Sequence, residues 1–551
     1  MSILFNRFVV IYALMTLAGY IADQLFKEGV RHIFGIPGGP SIPYIRAFTD
    51  AGIEFILTAN ESSAAIMADV TARITGIPGV CHSTLGPGAT NISTGIGGAL
   101  LDRSPVIVFT TEVSDEMLFR TTQMRIDQQK LFTPLTKATF RVSPGNIKKV
   151  LADTLAICRE EYPGPVHIGL PSDIAESEVS DSEQHYEEPP VKKQENDILR
   201  ISSLLARSRR PLLAAGMTAA RLGLKEKLLS FLEMYRMPVV LTPMAKGLIP
   251  ETHPSYTGIL FHSLSDYLKA IYEKSDLVIG FGYDQVEYNY ESWLPGVPLI
   301  HFNTVVSDMP DRENIVRFTG PPDEWFRIMS ELSPGSLLFE QGTIRSIRDE
   351  MSLNFNGYTN HFGPVTALKV LQEELPDDSV VTADVGSHLH LAGQLWELGN
   401  KGRFILTNGW SGMGFGLPAA LAAKISCPET TVACISGDGG FLMTAGEMIT
   451  ARRHKLHVIL VVLSDGELNL IKLKQEWKKI TPGGTQLYEG DLFGANSFLG
   501  CRVLNAETED NMRKAVKQAL EMNEPVIINA KIDPEDYKWL IVKQQAAATG
   551  K

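Results

Sequence analysis

Short apolar runs rich in β-branched residues recur along most of the 551-residue chain, and amphipathic stretches with helical spacing separate them. Runs of this kind between helices are typical of parallel sheets that are covered on both faces. The pattern therefore predicts an α/β fold built from doubly wound parallel sheets. The runs are HIFGI (32–36), FILTA (55–59), VIVFTTE (106–112), VHIGL (166–170), PVVLT (238–242), LVIGFG (277–282), PLIHFN (298–303), VVTAD (380–384), TVACIS (431–436), VILVVLS (458–464) and VIINAKI (526–532).

Two stretches interrupt this alternation. Residues 176–197 are polar, contain a proline pair and show no periodicity, which is typical of a linker. A second break falls at residues 346–364. The breaks predict three α/β domains, over residues 15–178, 195–345 and 360–545, each within the usual size of a domain.

The N-terminal part contains an apolar run at residues 8–22. This run is short for a bilayer span, and it lacks the small-residue cleavage site of a signal peptide. Residues 16–30 have the apolar spacing of an amphipathic helix. We therefore expect no membrane attachment, and we interpret the residues before Met15 as an appendage.

Charge and cysteine content narrow the class of protein. The net charge of −12 argues against a nucleic-acid partner, because phosphate backbones are bound by clustered lysines and arginines. The longest basic cluster, residues 471–479, is interpreted as a solvated helix face. The five cysteines are scattered and form no CxxC motif, which argues against a disulfide framework and a structural zinc site. This pattern predicts a cytoplasmic protein.

A pair of aspartates follows two consecutive predicted strands. Asp438 lies in the glycine-rich turn GDGG (437–440), and Asp465 follows the next apolar run. Because neighbouring parallel strands end at one edge of a sheet, we expect both side chains at one point. The turn offers N–H groups to phosphate, and Mg²⁺ bound by Asp438, Asp465 and the carbonyl of Glu467 would offset the repulsion between carboxylate and phosphate. Two unrelated helix caps are the alternative interpretation.

The order GDG, helix, apolar strand and aspartate resembles the motif that binds thiamin diphosphate (ThDP). Further segments resemble the acetolactate synthase, pyruvate oxidase and benzaldehyde lyase superfamily, in the same order along nearly the whole chain and closest to acetolactate synthase-like large subunits. These segments are residues 31–45, 55–112, 282–293, 384–388 and 409–424. The resemblance implies a pyrimidine-binding, a central and a diphosphate-binding domain, with ThDP and Mg²⁺ as cofactors.

The resemblance also implies roles for single residues. Glu61 would hydrogen-bond a ring nitrogen of the aminopyrimidine, and Met413 would prop the cofactor into a bent shape. Taken without the resemblance, Glu61 is a carboxylate near a helix start and Met413 is core filler. The other cofactor-binding residues that the resemblance implies are Pro37, Gly86, Asn91, Gly386, Ser387, His388, Gly412, Gly437, Asp438, Gly439, Gly440, Asp465, Glu467 and Leu468.

Departures from the family's patterns bear on the substrate. Simple decarboxylases of the family have a His-His pair and a proton-donating glutamate, whereas this chain lacks the pair and has Ile471 at the glutamate position. Gln123 and Lys474 replace a phenylalanine and a tryptophan of biosynthetic acetolactate synthases, and Pro40 replaces a lysine of catabolic ones. Gln123 resembles a substrate-contacting glutamine of benzaldehyde lyases, so we expect it in the catalytic site. A plain surface amide is the alternative interpretation.

The resemblance implies an enzyme that decarboxylates a 2-oxo acid such as pyruvate and ligates the fragment to a second carbonyl. Alternatives are a 2-hydroxy ketone lyase or carboligase of the benzaldehyde lyase type, a 2-oxo acid decarboxylase or oxidase, and a scaffold without activity. The intact Glu61, Asp438, Asp465 and Met413 argue against a scaffold.

Two further expectations concern flavin and assembly. Residues 256–282 have few of the glycines of flavin-binding relatives, so we expect no FAD. In the family, Glu61 of one subunit and Asp438 of another meet at one cofactor. The resemblance therefore implies a homodimer or homotetramer with active sites at the subunit interface.

Overall fold

The structure, a computed structural model, describes residues 15–180, 197–260, 266–287, 296–306, 312–332, 341–356, 361–399, 401–494 and 496–540. The residues before Met15, most of the linker at 176–197, and part of the segment 282–293 lie outside the described residues. Three six- or seven-stranded sheets organise the chain, and each is flanked by helices. The predicted α/β fold with three parallel-sheet domains is confirmed. In the described part of the chain, no helix has both the length and the apolar character that a bilayer span requires.

The first domain contains an all-parallel sheet in the order β2-β1-β3-β4-β6-β5. Its strands are β1 (His32–Gly35), β2 (Glu54–Leu57), β3 (Gly79–Ser83), β4 (Val106–Glu112), β5 (Ala138–Arg141) and β6 (Val166–Pro171). Its helices are α1 (Leu17–Lys27), α2 (Ile42–Asp50), α3 (Glu61–Thr75), α4 (Pro87–Leu101), α5 (Gln128–Phe132) and α6 (Ile147–Arg159). The amphipathic pattern at residues 16–30 forms α1, with Thr16 as its N-cap.

The central domain contains a second parallel sheet in the order β12-β11-β10-β7-β8-β9. All its strands run parallel, but the order in which successive strands are added changes side between β7 and β10. Its strands are β7 (Pro211–Ala215), β8 (Val239–Leu241), β9 (Tyr256–Ile259), β10 (Leu277–Phe281), β11 (Leu299–Asn303) and β12 (Ile315–Thr319). Its helices are α7 (Ile198–Arg207), α8 (Met217–Arg221), α9 (Lys225–Tyr235), α10 (Asp266–Lys274), α11 (Pro322–Met329) and α12 (Gln341–Asn356). Helix α12 packs on α10 and β9 and spans position 345, where the sequence placed the end of this domain.

The third domain contains a sheet in the order β14-β13-β15-β16-β19-β18-β17, parallel except for the pair β17–β18. Its strands are β13 (Val380–Ala383), β14 (Arg403–Ile405), β15 (Val432–Gly437), β16 (Val458–Ser464), β17 (Ser497–Phe498), β18 (Cys501–Ala506) and β19 (Val526–Lys531). Its helices are α13 (Pro364–Glu374), α14 (Ser387–Leu395), α15 (Gly416–Ser426), α16 (Asp438–Thr444), α17 (Glu447–Arg453), α18 (Asn469–Trp477) and α19 (Glu509–Glu521).

Small side chains join the first and third domains. Helix α3 packs against α15, and the alanines of both helices lie in one buried cluster. Alanine lets two helix backbones approach closely, so the two sheets share a core across the contact. The alanines are Ala64, Ala65 and Ala68 of α3 and Ala419, Ala420, Ala422 and Ala423 of α15.

Candidate active site

The carboxyl edge of the third sheet carries the aspartate pair. The sequence predicted GDGG as a turn that is followed by a helix. In the structure α16 already begins at Asp438 and ends at Thr444, and a second helix, α17, begins at Glu447 after its N-cap Gly446. Gly446 packs closely against the first domain, because a Cβ there would lie 3.0 Å from Ala59.

Both aspartates reach one point, as their places after β15 and β16 predict. The Asp438 Oδ2 atom accepts hydrogen bonds from the backbone N–H groups of Asp465 (3.1 Å) and Gly466 (2.7 Å). It also accepts from the Tyr488 hydroxyl at 2.9 Å. The Asp465 side chain accepts from the Glu467 N–H at 3.1 Å and from the Asn469 amide at 3.1 Å. The two carboxylates therefore face a turn that is already ordered by hydrogen bonds.

The electrostatics of this pair fit a hard cation. Burial, together with the neighbouring Asp438, raises the pKa of Asp465 to about 7. A divalent cation would stabilise the ionised form of Asp465 against both burial and the charge of Asp438. Carboxylate and carbonyl oxygens are the ligands that Mg²⁺ prefers. Within the described residues, no group of three or more His, Cys, Asp or Glu side chains forms a metal site. Further oxygens would therefore have to come from the backbone, such as the Glu467 carbonyl, and from a bound phosphate.

Apolar side chains cover the first turn of α16. A Cβ on Gly439 would lie 3.0 Å from Leu468 and from Met413, and 3.4 Å from Leu487. The glycine therefore lets these three side chains pack directly against the start of the helix.

Asp384 links the Met413 turn to the rest of this edge. Its buried carboxylate accepts from the Gly414 N–H at 2.9 Å and from the Ser436 hydroxyl at 3.3 Å. Burial raises the pKa of Asp384 to about 6. A Cβ on Gly440 would lie 2.7 Å from an Asp384 carboxylate oxygen. Asp384 thus fixes Met413 relative to the start of α16.

His388 lies between two of the predicted glycines. Helix α14 begins at Ser387, directly after Gly386, and the His388 ring lies 3.2 Å from the place of a Cβ on Gly437. Burial lowers the pKa of His388 to about 4, so the ring is neutral at pH 7. Its buried Nε2 atom has no hydrogen-bond partner among the described residues. An unpaired buried nitrogen fits a site that receives a polar group of a cofactor.

Glu61 lies at the edge of the first sheet. It is the first residue of α3, is 8% exposed, and accepts a hydrogen bond from the Asn91 amide at 3.2 Å. The third domain of the same chain fixes the preceding turn, because the Glu447 carboxylate accepts from the N–H groups of Ala59 (3.0 Å) and Asn60 (3.1 Å). Glu61 is therefore positioned by a contact within the first domain and, through the preceding turn, by a residue of the third domain.

Gly86 and Pro37 lie on the turns beside Glu61. Gly86 has a φ of 65° and approaches Met124, so the exposed Gln123 stands on the segment next to this turn. Gly38, which follows the exposed Pro37, packs closely against Thr84 and donates to Ser41 at 3.0 Å. The first-domain candidates thus share one edge of the sheet.

The structure forms two groups from the predicted residues. Pro37, Glu61, Gly86 and Asn91, with Gln123 nearby, lie at the first sheet, and the remaining candidates lie at the third sheet. Within the described residues, no hydrogen bond joins the two groups directly. Sequence reasoning missed the contributions of Asp384, Glu447, Leu487 and Tyr488. Asp384 ends a predicted strand, as Asp465 does, so a signal existed for it, whereas no local pattern indicates the other three.

Comparisons with known proteins agree with this arrangement. The family models of the thiamine pyrophosphate (ThDP) enzymes match residues 15–131 (N-terminal TPP binding domain), 198–318 (central domain) and 384–530 (C-terminal TPP binding domain). The probable acetolactate synthase large subunit of Methanocaldococcus jannaschii is 30% identical, over 94% of this chain and 92% of its own. The acetolactate synthase isozyme 2 large subunit of Escherichia coli is 29% identical, over 96% of this chain and 98% of its own.

The chain belongs to the thiamine pyrophosphate enzyme family. Within this family it is a ThDP-dependent enzyme of the acetolactate synthase-like kind. Its glycine-rich edge, the unpaired His388 nitrogen and the aspartate pair fit this cofactor.

Replacing Gly440 by alanine tests the geometry of this edge. The new methyl group would press on the Asp384 carboxylate, and we expect ThDP affinity to fall about tenfold or more in fluorescence titrations. Gly483→Ala is the matched control, because a Cβ there meets no atom within 4 Å. Equal affinities of the two variants would contradict the described packing of α16 on Asp384.

Proposed function

We propose that Asp438, Asp465 and the Glu467 carbonyl hold Mg²⁺ and, through it, the diphosphate of ThDP. The contact between the buried Asp438 and the half-buried Asp465, together with the raised pKa of Asp465, supports this assignment. The glycines of the edge (Gly386, Gly412, Gly437, Gly439 and Gly440), together with Ser387, His388, Leu468 and Met413, would contact the cofactor there. Pro37, Glu61, Gly86 and Asn91 would contact its aminopyrimidine side.

The reaction that we infer is decarboxylation of a 2-oxo acid such as pyruvate, followed by ligation of the fragment to a second carbonyl. Bound ThDP supplies the nucleophilic carbon and the electron sink for both steps. The observation that carries this proposal is Ile471, whose aliphatic side chain is half exposed one turn after Leu468 on α18. An aliphatic group there donates no proton to the fragment, so a second carbonyl is the favoured acceptor. The acetolactate synthase relatives support the same conclusion.

A 2-hydroxy ketone lyase or carboligase is the second candidate. Gln123 is exposed beside the Gly86 turn, where its amide is free to contact a hydroxy ketone. Pro40 brings no cation to the 37–41 turn that would hold a substrate carboxylate. These two observations favour a neutral substrate over a 2-oxo acid.

The central domain supports the expectation that FAD is not bound. Open sheets of this strand order bind dinucleotides where the order reverses, here between β7 and β10. The fully buried Glu287 fills that crevice, and its carboxylate accepts from the N–H groups of Met217 (2.8 Å) and Met244 (3.2 Å). Burial raises the pKa of Glu287 to about 8. A flavin diphosphate would have to displace this carboxylate from its donors.

A homodimer or homotetramer is the proposed assembly, with active sites at the subunit interface. Exposed apolar side chains flank both groups of candidate residues, and large exposed apolar patches mark interaction surfaces. Met117, Phe119, Met124 and Ile126 lie on the segment beside the Gly86 turn, and Leu442, Met443 and Ile449 lie on α16 and α17. A cytoplasmic location is proposed from the cysteine pattern.

Purified protein with ThDP, Mg²⁺ and pyruvate tests the reaction. We expect acetolactate and CO₂ as products, identified by NMR, because ligation outcompetes protonation near Ile471. Acetaldehyde as the main product would overturn the role of Ile471. If pyruvate is not consumed but a 2-hydroxy ketone is cleaved, the lyase is the correct function.

Replacing Glu61 by glutamine tests its catalytic assignment. Glutamine cannot move a proton at the ring nitrogen, so we expect kcat to fall about 100-fold or more, as for loss of a general acid or base, with ThDP still bound. Glu54→Gln, on the exposed edge strand β2, is the control and should retain activity. Turnover of the Glu61 variant at the wild-type rate would show that another group moves this proton.

Light scattering after gel filtration tests the assembly. We expect wild-type protein to elute as a dimer or larger, and Phe119→Asp to shift towards monomer with loss of activity, because Phe119 is 94% exposed within one chain. Leu199→Asp on α7 is the matched control, since this leucine is also highly exposed but lies in the central domain. An active wild-type monomer would refute the interface.

A further inference from the structure

The loop between β14 and α15, residues 406–415, carries Met413 and is here called the Met413 loop. Its end is fixed within the third domain by the Gly414 N–H, which donates to Asp384. Glycines at 409, 412 and 414 give the loop backbone large conformational freedom. The remaining contacts of the Met413 loop therefore determine the position of Met413.

Most of these other contacts come from the first domain of the same chain. The Asn408 and Gly409 N–H groups donate to Asp102 Oδ1 at 3.2 and 2.9 Å. The Leu406 carbonyl accepts from Arg73 Nη1 at 2.7 Å. The Arg73 guanidinium also lies over the Phe415 ring, 5.6 Å from its centroid. The loop is therefore bound to the first domain at both of its ends.

Asp102 divides its two oxygens between two partners. While Oδ1 accepts from the loop backbone, Oδ2 accepts from Arg73 Nη2 at 2.7 Å. The carboxylate is 4% exposed, so both sets of hydrogen bonds lie in a low-dielectric region where charge-assisted bonds are strong. Asp69 accepts from Nε and Nη2 of the same guanidinium, at 2.7 and 2.5 Å, and makes no described bond to the loop.

The Met413 loop also packs closely against α4. A Cβ on Gly409 would collide with Leu101, and a Cβ on Gly97 would lie 3.0 Å from the Trp410 ring. The glycine on each side lets the two backbones approach closely. The hydrogen bonds to Asp102 thus form across a packed contact.

We infer that Asp102 is a positioning residue for Met413. It fixes the start of the Met413 loop on the first domain, while Asp384 fixes its end on the third. This inference rests on the proposed function only in the role given to Met413. It also means that α3, which begins with Glu61 and ends near Arg73, contributes to both groups of candidate residues.

The matched pair Asp102→Asn and Asp69→Asn tests the inference. Both variants remove one carboxylate charge from Arg73 and place an amide beside its donors, but only the first also alters the acceptor of the Asn408 and Gly409 N–H groups. We expect hydrogen exchange at residues 408–409 of the cofactor-free enzyme to rise about tenfold or more in Asp102→Asn only. We also expect kcat to fall about tenfold in Asp102→Asn and to stay within about twofold of wild type in Asp69→Asn.

Met413→Ala separates failure of this inference from failure of the proposed function. If Met413→Ala lowers kcat but the two aspartate variants behave alike, Asp102 does not position the loop. If Met413→Ala has no effect, the proposed role of Met413 is wrong, and the exchange rates still report whether Asp102 holds the loop. Should Asp102→Asn fail to fold, hydrogen exchange of the wild-type enzyme tests the inference instead. If the amides of residues 408 and 409 exchange as fast as those of residues 411 and 412, the inference is wrong.

Discussion

A buried carboxylate at the start of α16 is the constraint on which the rest of the site depends. Asp438 follows a strand that is buried up to its last residue, and it accepts from the backbone of the 465–466 turn and from Tyr488. A phosphate bound at these N–H groups would be repelled by the Asp438 carboxylate, so a cation has to lie between the carboxylate and the phosphate. Asp438 therefore orders the turn after β16, and the proposed sites of Mg²⁺ and the diphosphate are placed relative to this carboxylate.

Contacts between domains then set the two halves of the site. Glu447 of the third domain holds the turn before Glu61, and Asp102 of the first domain holds the loop before Met413. The two pairs of hydrogen bonds run in opposite directions between the first and third domains. Because small alanines bring these helices together, neither half of the site is ordered by one domain alone.

The central domain plays a different part. Its strand order is that of a dinucleotide-binding sheet, yet Glu287 fills the crevice and the Asp284 carboxylate binds Arg103 at 2.8 Å. Arg103 directly follows Asp102 at the end of α4. One short segment of the first domain therefore contacts both other domains, which makes it the junction of the molecule.

The sequence by itself determined the fold class, the aspartate pair and the family. Apolar runs report burial directly, and residues at consecutive strand ends meet because parallel strands share an edge. Two kinds of strand are missing from the predicted runs. The edge strand β5 has half-buried residues that mix polar and apolar side chains, and the central, fully buried β7 is a short run of five residues that begins with a proline. Only the tertiary structure decided that Asp384, Glu447, Tyr488 and Asp102 order the site. Asp384, Glu447 and Asp102 accept from backbone N–H groups that are distant in the sequence or in another domain, and Tyr488 donates to the Asp438 carboxylate. Of these four residues, only Asp384, at the end of a strand, had a local signal in the sequence.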